Sequence, residues 1–256
     1  MFKKLLAAVG VGGAEVETEL HTPGVQPGGT VQGVIRLRGG GVAQDISRIA
    51  LELVSRVEIE SGGEEYDGYR GFHRWNVHGP FTLTANASDE FPFALPVPFE
   101  TPITFYNGRH LPGMEIFVRT VVEIEGAVDA GDRDPLGIGA LPAQHVILAA
   151  LEQLGFPLHR ADVEQGRLRG IRQELPFYQE IEFGRSHRFP RLNQLEVTFV
   201  ARPDGMDVVL EGDKKSGWVR EGRDVYDVLR VDYHALNNVD WVGMLHHRLE
   251  TMSSGH

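Results

Sequence analysis

Apolar side chains in this chain recur at every second position over several separate stretches. That is the period of a strand with one buried and one wetted face, not of a helix. Ala14, Val16, Thr18 and Leu20 share one side, and Glu15, Glu17 and Glu19 the other. Val31, Gly33, Ile35 and Leu37 alternate with Gln32, Arg36 and Arg38. Ile49, Leu51, Leu53, Val57 and Ile59 alternate with Arg48, Glu52, Arg56, Glu58 and Glu60. Ile116, Val118, Thr120, Val122 and Ile124 alternate with Arg119, Glu123 and Glu125. Strands that wet one face belong to antiparallel sheets, so the expectation is an all-β sandwich or barrel.

Turn residues punctuate the strands: Pro23-Gly24, Pro27-Gly28-Gly29, Gly39-Gly40-Gly41, Ser61-Gly62-Gly63, Gly79-Pro80 and Pro112-Gly113. Phe91 to Pro98 carries prolines at alternate positions, which suits an edge strand or an extended crossover. Residues 126–135 are polar and glycine-rich, and read as a linker between domains. A helix is expected next, with Pro142 in its first turn, Ile147, Ala150, Leu151 and Leu154 as its apolar stripe, and Gly155 as its stop. Alternation resumes at Phe177, Ile181 and Phe183, at Leu195 to Ala201, and at Met206 to Leu210 after the turn signal Asp204-Gly205. Leu229, Val231 and Tyr233 make a last strand. Trp241, Met244, Leu245 and Leu249 mark a closing helix. At the start, Phe2, Leu5, Leu6 and Val9 fall on one face of a short helix, and the apolar run there is too short for a secretory signal.

Composition narrows the function classes. The net charge is −11, so anionic nucleic acid and anionic membranes are poor partners. The chain has no cysteine, which excludes disulfide scaffolds, thiol catalysis and cysteine zinc sites. No apolar run approaches the roughly 18 residues of a spanning helix. No phosphate loop, dinucleotide fingerprint or nucleophile elbow occurs.

The order of several local features resembles the bacterial sporulation-control protein M family, which is arrestin-like. They are the opening Phe2-Lys3-Lys4-Leu5-Leu6-Ala7, Pro27-Gly28-Gly29-Thr30-Val31-Gln32-Gly33, Phe91 to Pro96 followed by Val118-Arg119-Thr120, and Gly155-Phe156 with the tryptophan helix after it. The resemblance implies two arrestin-like antiparallel β-sandwich domains in tandem, with a short N-terminal helix, a helix in the second domain and a C-terminal helix. The boundaries expected are 1–128, 129–236 and a closing helix and tail at 237–256. It also implies a cytoplasmic, non-enzymatic regulatory protein that binds protein partners as an adaptor or scaffold. No catalytic, metal or cofactor-binding residue comes with it.

The residues themselves suggest two surfaces. Arg119 and Arg133 are placed to pair with Asp129, Asp132 and Asp134 across the domain junction, a candidate control point. Tyr69, Arg70 and Trp75 are candidates for a protein-binding surface, since Trp, Tyr and Arg anchor such contacts. Asp129, Asp132 and Asp134 lack the terminal bidentate Glu of a calcium loop. His246 and His247, adjacent on a helix, point different ways. Glu64-Glu65-Tyr66-Asp67 reads as a solvated hairpin end. The competing reading is a carbohydrate-active or sugar-binding sandwich, secreted if the N-terminus is cleaved. It requires a cleft of convergent carboxylates. Monomer and homodimer both remain open, because long strand edges invite pairing while acidic faces oppose it.

Overall fold

The computed structural model describes residues 13–22, 24–61, 64–214 and 225–254. The helix expected on Phe2 to Val9 lies outside these residues, as does His256. The first strands are β1 (Glu15–Leu20), β2 (Gly24–Val25), β3 (Thr30–Arg38), β4 (Gln44–Ser61), β5 (Glu64–His78), β6 (Phe81–Leu83) and β7 (Ser88–Pro96). A small hairpin, β8 (Phe105–Tyr106) and β9 (Arg109–His110), precedes β10 (Ile116–Ile124), β11 (Ala130–Pro135) and β12 (Gly137–Ile138). Helix α1 (Pro142–Gln153) leads into β13 (Leu158–Gln165), β14 (Phe177–Phe183), β15 (Leu192–Arg202), β16 (Gly205–Lys214) and β17 (Val225–Asp232). A 3₁₀ turn (Tyr233–Asn238) and α2 (Trp241–Ser254) follow.

The molecule is mostly β. One sheet has the order β1-β3-β7. The proline-rich β7 is its edge, where missing N–H groups cost nothing. A larger sheet runs β11-β10-β4-β13-β14-β15-β16-β17, with β5 and β6 on the other side of β4. The alternation seen in sequence is the burial pattern here. Ile116, Val118, Thr120, Val122 and Ile124 of β10 are buried, while Arg119 is exposed. Asp204 lies in the two-residue loop between β15 and β16, where Arg202 pairs with Gly205.

Residues 126–135 are not all linker. From Ala130 they form β11, paired antiparallel with β10 over Phe117–Val122. Their polarity suits an edge strand, where every second side chain is wet. Asp129 helps close the turn by accepting from the Ile124 N–H at 3.1 Å.

The two halves of the chain meet along β4. Its first part pairs with β10, and beyond Ser55 the same edge meets β13, where Glu58 pairs in parallel with Glu164. The Ala161 N–H donates to the Pro112 carbonyl at 2.9 Å. Gly113, next along, has φ +92, and a Cβ there would stand 2.2 Å from the Ala161 oxygen. Only glycine lets the backbones approach this closely. Buried Gln179 completes the seam: its Nε2 donates to the Ile103 carbonyl at 2.7 Å and its Oε1 accepts from the Ile103 N–H at 2.9 Å. One contiguous apolar core extends from Val31 and Ile35 through Leu151 and Phe183 to Leu245 and Leu249. Among the described residues, no helix is long and apolar enough to cross a membrane.

Candidate functional site

The structure separates the residues expected to form a control point. Arg119 and Arg133 lie opposite each other on β10 and β11. Both face solvent, while Asp132 and Asp134, being at alternate positions, turn to the other face. The expected Arg–Asp pairing is therefore replaced. Arg119 pairs with Glu52 of β4, and Arg133 with Glu115. The Arg133 guanidinium also lies 3.5 Å from the Phe117 ring centroid and 4.6 Å from that of Tyr69. Asp132 binds the other sheet instead: one carboxylate oxygen accepts from the Thr18 N–H at 2.7 Å. Asp134 has a buried oxygen without a hydrogen-bond partner among the described residues. Burial, and after it the charges of Asp132 and Glu17, push its carboxyl up to about 6.

The second expected surface is divided as well. The pairing of β5 with β4 skips Phe72, since Leu53 faces His73 and Val54 faces Gly71. This bulge reverses the facing of His73 to Asn76, and a second shift at Val77 follows. Tyr69, opposite Arg56, lies on the outer face and donates its hydroxyl to Glu115 at 3.0 Å. Trp75, opposite Leu51, lies on the inner face near the rim. Arg70 shares that inner side and donates to Gln165 at 2.8 Å.

What the sheet gathers instead is carboxylates. On its outer face, Glu58 meets Glu164, and Asp162 is opposite Glu180. Glu182 is opposite Glu196, which is opposite Glu211. Two triplets result, Glu58 with Asp162 and Glu164, and Glu180 with Glu196 and Glu211. Within each, carboxylate oxygens lie within 4.8 Å of one another. Arg160 answers part of this charge, reaching Glu182 at 2.7 Å and Asp162 at 3.3 Å. Gln194 donates to Glu182 and Glu196 at 3.2 and 3.0 Å. Burial, then the charges of Glu196 and Asp162, push the Glu180 carboxyl up to about 8. Burial and a hydrogen bond shared with Glu182 raise Asp162 in the same direction.

This arrangement can accept cationic groups, because like charges at such spacing raise one another's proton affinity and are relieved by any cation. Beside Glu58 and Asp162 it leaves little room for a sugar ring. The cavity beside Glu58 and Asp162 is about 40 Å³, close to the volume of one water molecule. The polar faces of β14 and β15 already show Glu180, Glu182 and Glu196 in sequence. Their convergence with Asp162 and Glu211 depends on cross-strand register, which alternation does not specify.

Comparison with known proteins agrees with the fold. Residues 2–216 match the family described as SpoOM protein. The sporulation-control protein Spo0M of Bacillus subtilis (strain 168) is 37% identical over 226 residues, covering 86% of this chain and 84% of that protein. The crystal structure of Spo0M from Bacillus subtilis superposes with a TM-score of 0.81 at 31% identity, covering 94% of this chain and all of the other.

Proposed function

The chain belongs to the SpoOM protein family, and from that premise we propose that it is a non-catalytic regulatory adaptor in the cytoplasm, binding a protein partner across the seam between its halves. The observation that carries this reading is the single sheet that passes from β10 through β4 into β13–β16. A partner laid on its outer face touches both halves at once. The carboxylates there favour a partner presenting arginine or lysine, and charge complementarity would speed encounter and set register. In this reading the two halves are sandwich units in tandem. The first extends to the end of β12, because β11 and β12 pair with β10 and β2. The C-terminal helix closes on the second.

The test is affinity capture from native cytosol with the intact chain and with a Glu180→Gln/Glu196→Gln/Glu211→Gln variant. Proteins retained by the first and lost from the second, with retention falling as salt rises, support the reading. Equal capture by both would remove the sheet face from consideration.

A further inference from the structure

We propose that the outer edge of β5 is a self-association surface that pairs antiparallel with β5 of a second copy of this chain. Among the described residues β4 is the only strand paired with β5, so the other side of this 15-residue strand is an open edge. Long open edges are templates for strand addition, and proteins usually blunt them with charge, proline or brevity. This one contains no proline. Beside its charged Asp67, Arg70 and Arg74 it carries exposed aromatics: Tyr66, Tyr69 and Trp75 are 52%, 54% and 41% accessible.

The strand is also complementary to its own reverse. Its first half holds Asp67 and its second half Arg74, both on the outer face, opposite Glu58 and Glu52 of β4, where each also pairs within the chain, with Arg56 and Glu123. Phe72 is bulged out of the ladder and turns inward onto the Phe177 ring at 5.5 Å. With Phe72 skipped, an antiparallel pairing centred on Arg70 keeps every residue on its own face. It sets Tyr69 against Gly71, Gly68 against His73, Asp67 against Arg74 and Tyr66 against Trp75. A two-fold axis makes each of these pairs twice, as an isologous interface requires. Three of the four pairs join groups that suit one another (opposite charges, aromatic with aromatic, and a tyrosine ring over a glycine), and Gly68 leaves room for His73. Arg70 meets itself at the axis, but its guanidinium is drawn aside to Gln165. The contact is one strand wide, so the dimer is weak and concentration-dependent. This inference does not rest on the acidic-face reading, whose residues lie on other strands.

Sedimentation velocity of the full chain from about 1 µM to about 300 µM is the first measurement. A monomer–dimer equilibrium is expected. Tyr66→Lys/Trp75→Lys weakens it at least about tenfold, with unchanged circular dichroism, while Tyr226→Lys on the β17 edge leaves it alone. A second variant does not depend on those substitutions folding. The chain has no cysteine of its own, so Arg70→Cys places one thiol on the axis. Mild oxidation then gives a disulfide-linked dimer much faster than it does for Tyr226→Cys. A chain that stays monomeric throughout, a dimer insensitive to the β5 pair, or equal crosslinking of the two cysteine variants overturns the proposal.

Discussion

Glu180 is a residue whose charge the fold disfavours. Its carboxyl is pushed up to about 8, well above an ordinary glutamate. A raised carboxyl favours folding most when protonated. That contribution is complete below the unfolded value near 4.5 and is lost as pH rises through about 8. Asp134, pushed up to about 6, and Asp162 act in the same direction. Glu19, Asp67 and Glu123 are held low by arginines, so their contributions are present above the ordinary carboxylate range and are lost only as pH falls through it. The melting temperature should therefore rise as pH is lowered from about 8 to about 6. Glu180→Gln should raise it at pH 8 and flatten its pH dependence. A melting temperature that falls over this interval would sink the argument. Gln179 is a residue of the opposite kind, with both ends of its amide satisfied by Ile103. Gln179→Ala strands a buried N–H and a buried carbonyl, and should cost about 2–4 kcal/mol by urea denaturation. Neither role was legible in sequence. Gln179 and Glu180 are neighbours on β14, and the alternation distinguished only which one faces inward.

At the scale of elements, sequence and structure agree wherever a strand has one apolar face. β10 is the plainest case, with Ile116 to Ile124 buried at alternate positions. The reading failed where no apolar face exists. β11 has none of its own, and its strand character comes from β10 beside it and from Asp132 binding Thr18. Simple alternation also breaks at β5, where one bulged residue, Phe72, moves Tyr69 and Trp75 to opposite faces although both numbers are odd. Bulges are set by what the strand packs against, here Phe177, and a single sequence does not display that. Gly28, Gly39, Gly41, Gly79 and Gly113 lie between strands, as read, while Gly62 and Gly63 lie outside the described residues; the reasons for the glycines differ. Gly113 is required by the crossing of β13, and Gly41 has open space around it. Gly113→Ala should destabilise by about 2–4 kcal/mol, since it combines φ +92 with a clash against backbone. Gly41→Ala should be neutral or slightly stabilising in the same denaturation assay.

For the whole molecule the deciding feature is β4. Half of its length belongs to the β10 sheet and its end belongs to β13. The apolar core is contiguous through the same region. Two tandem units joined only by a linker would unfold in two steps. Two halves sharing a strand and a core should melt together, because melting β13–β17 strips one edge from β4 and exposes the Ile103 and Leu111 side of the first half. The expectation is one calorimetric transition for the full chain, with the van't Hoff and calorimetric enthalpies equal. Gln179→Ala acts at the seam, so it discriminates further. If the halves are coupled it lowers the one transition as a whole. If they are independent it leaves the first half melting at its original temperature and splits the trace in two. A split trace would make the seam a docking contact between separable domains, and a partner bound across the outer face would then have to hold them together.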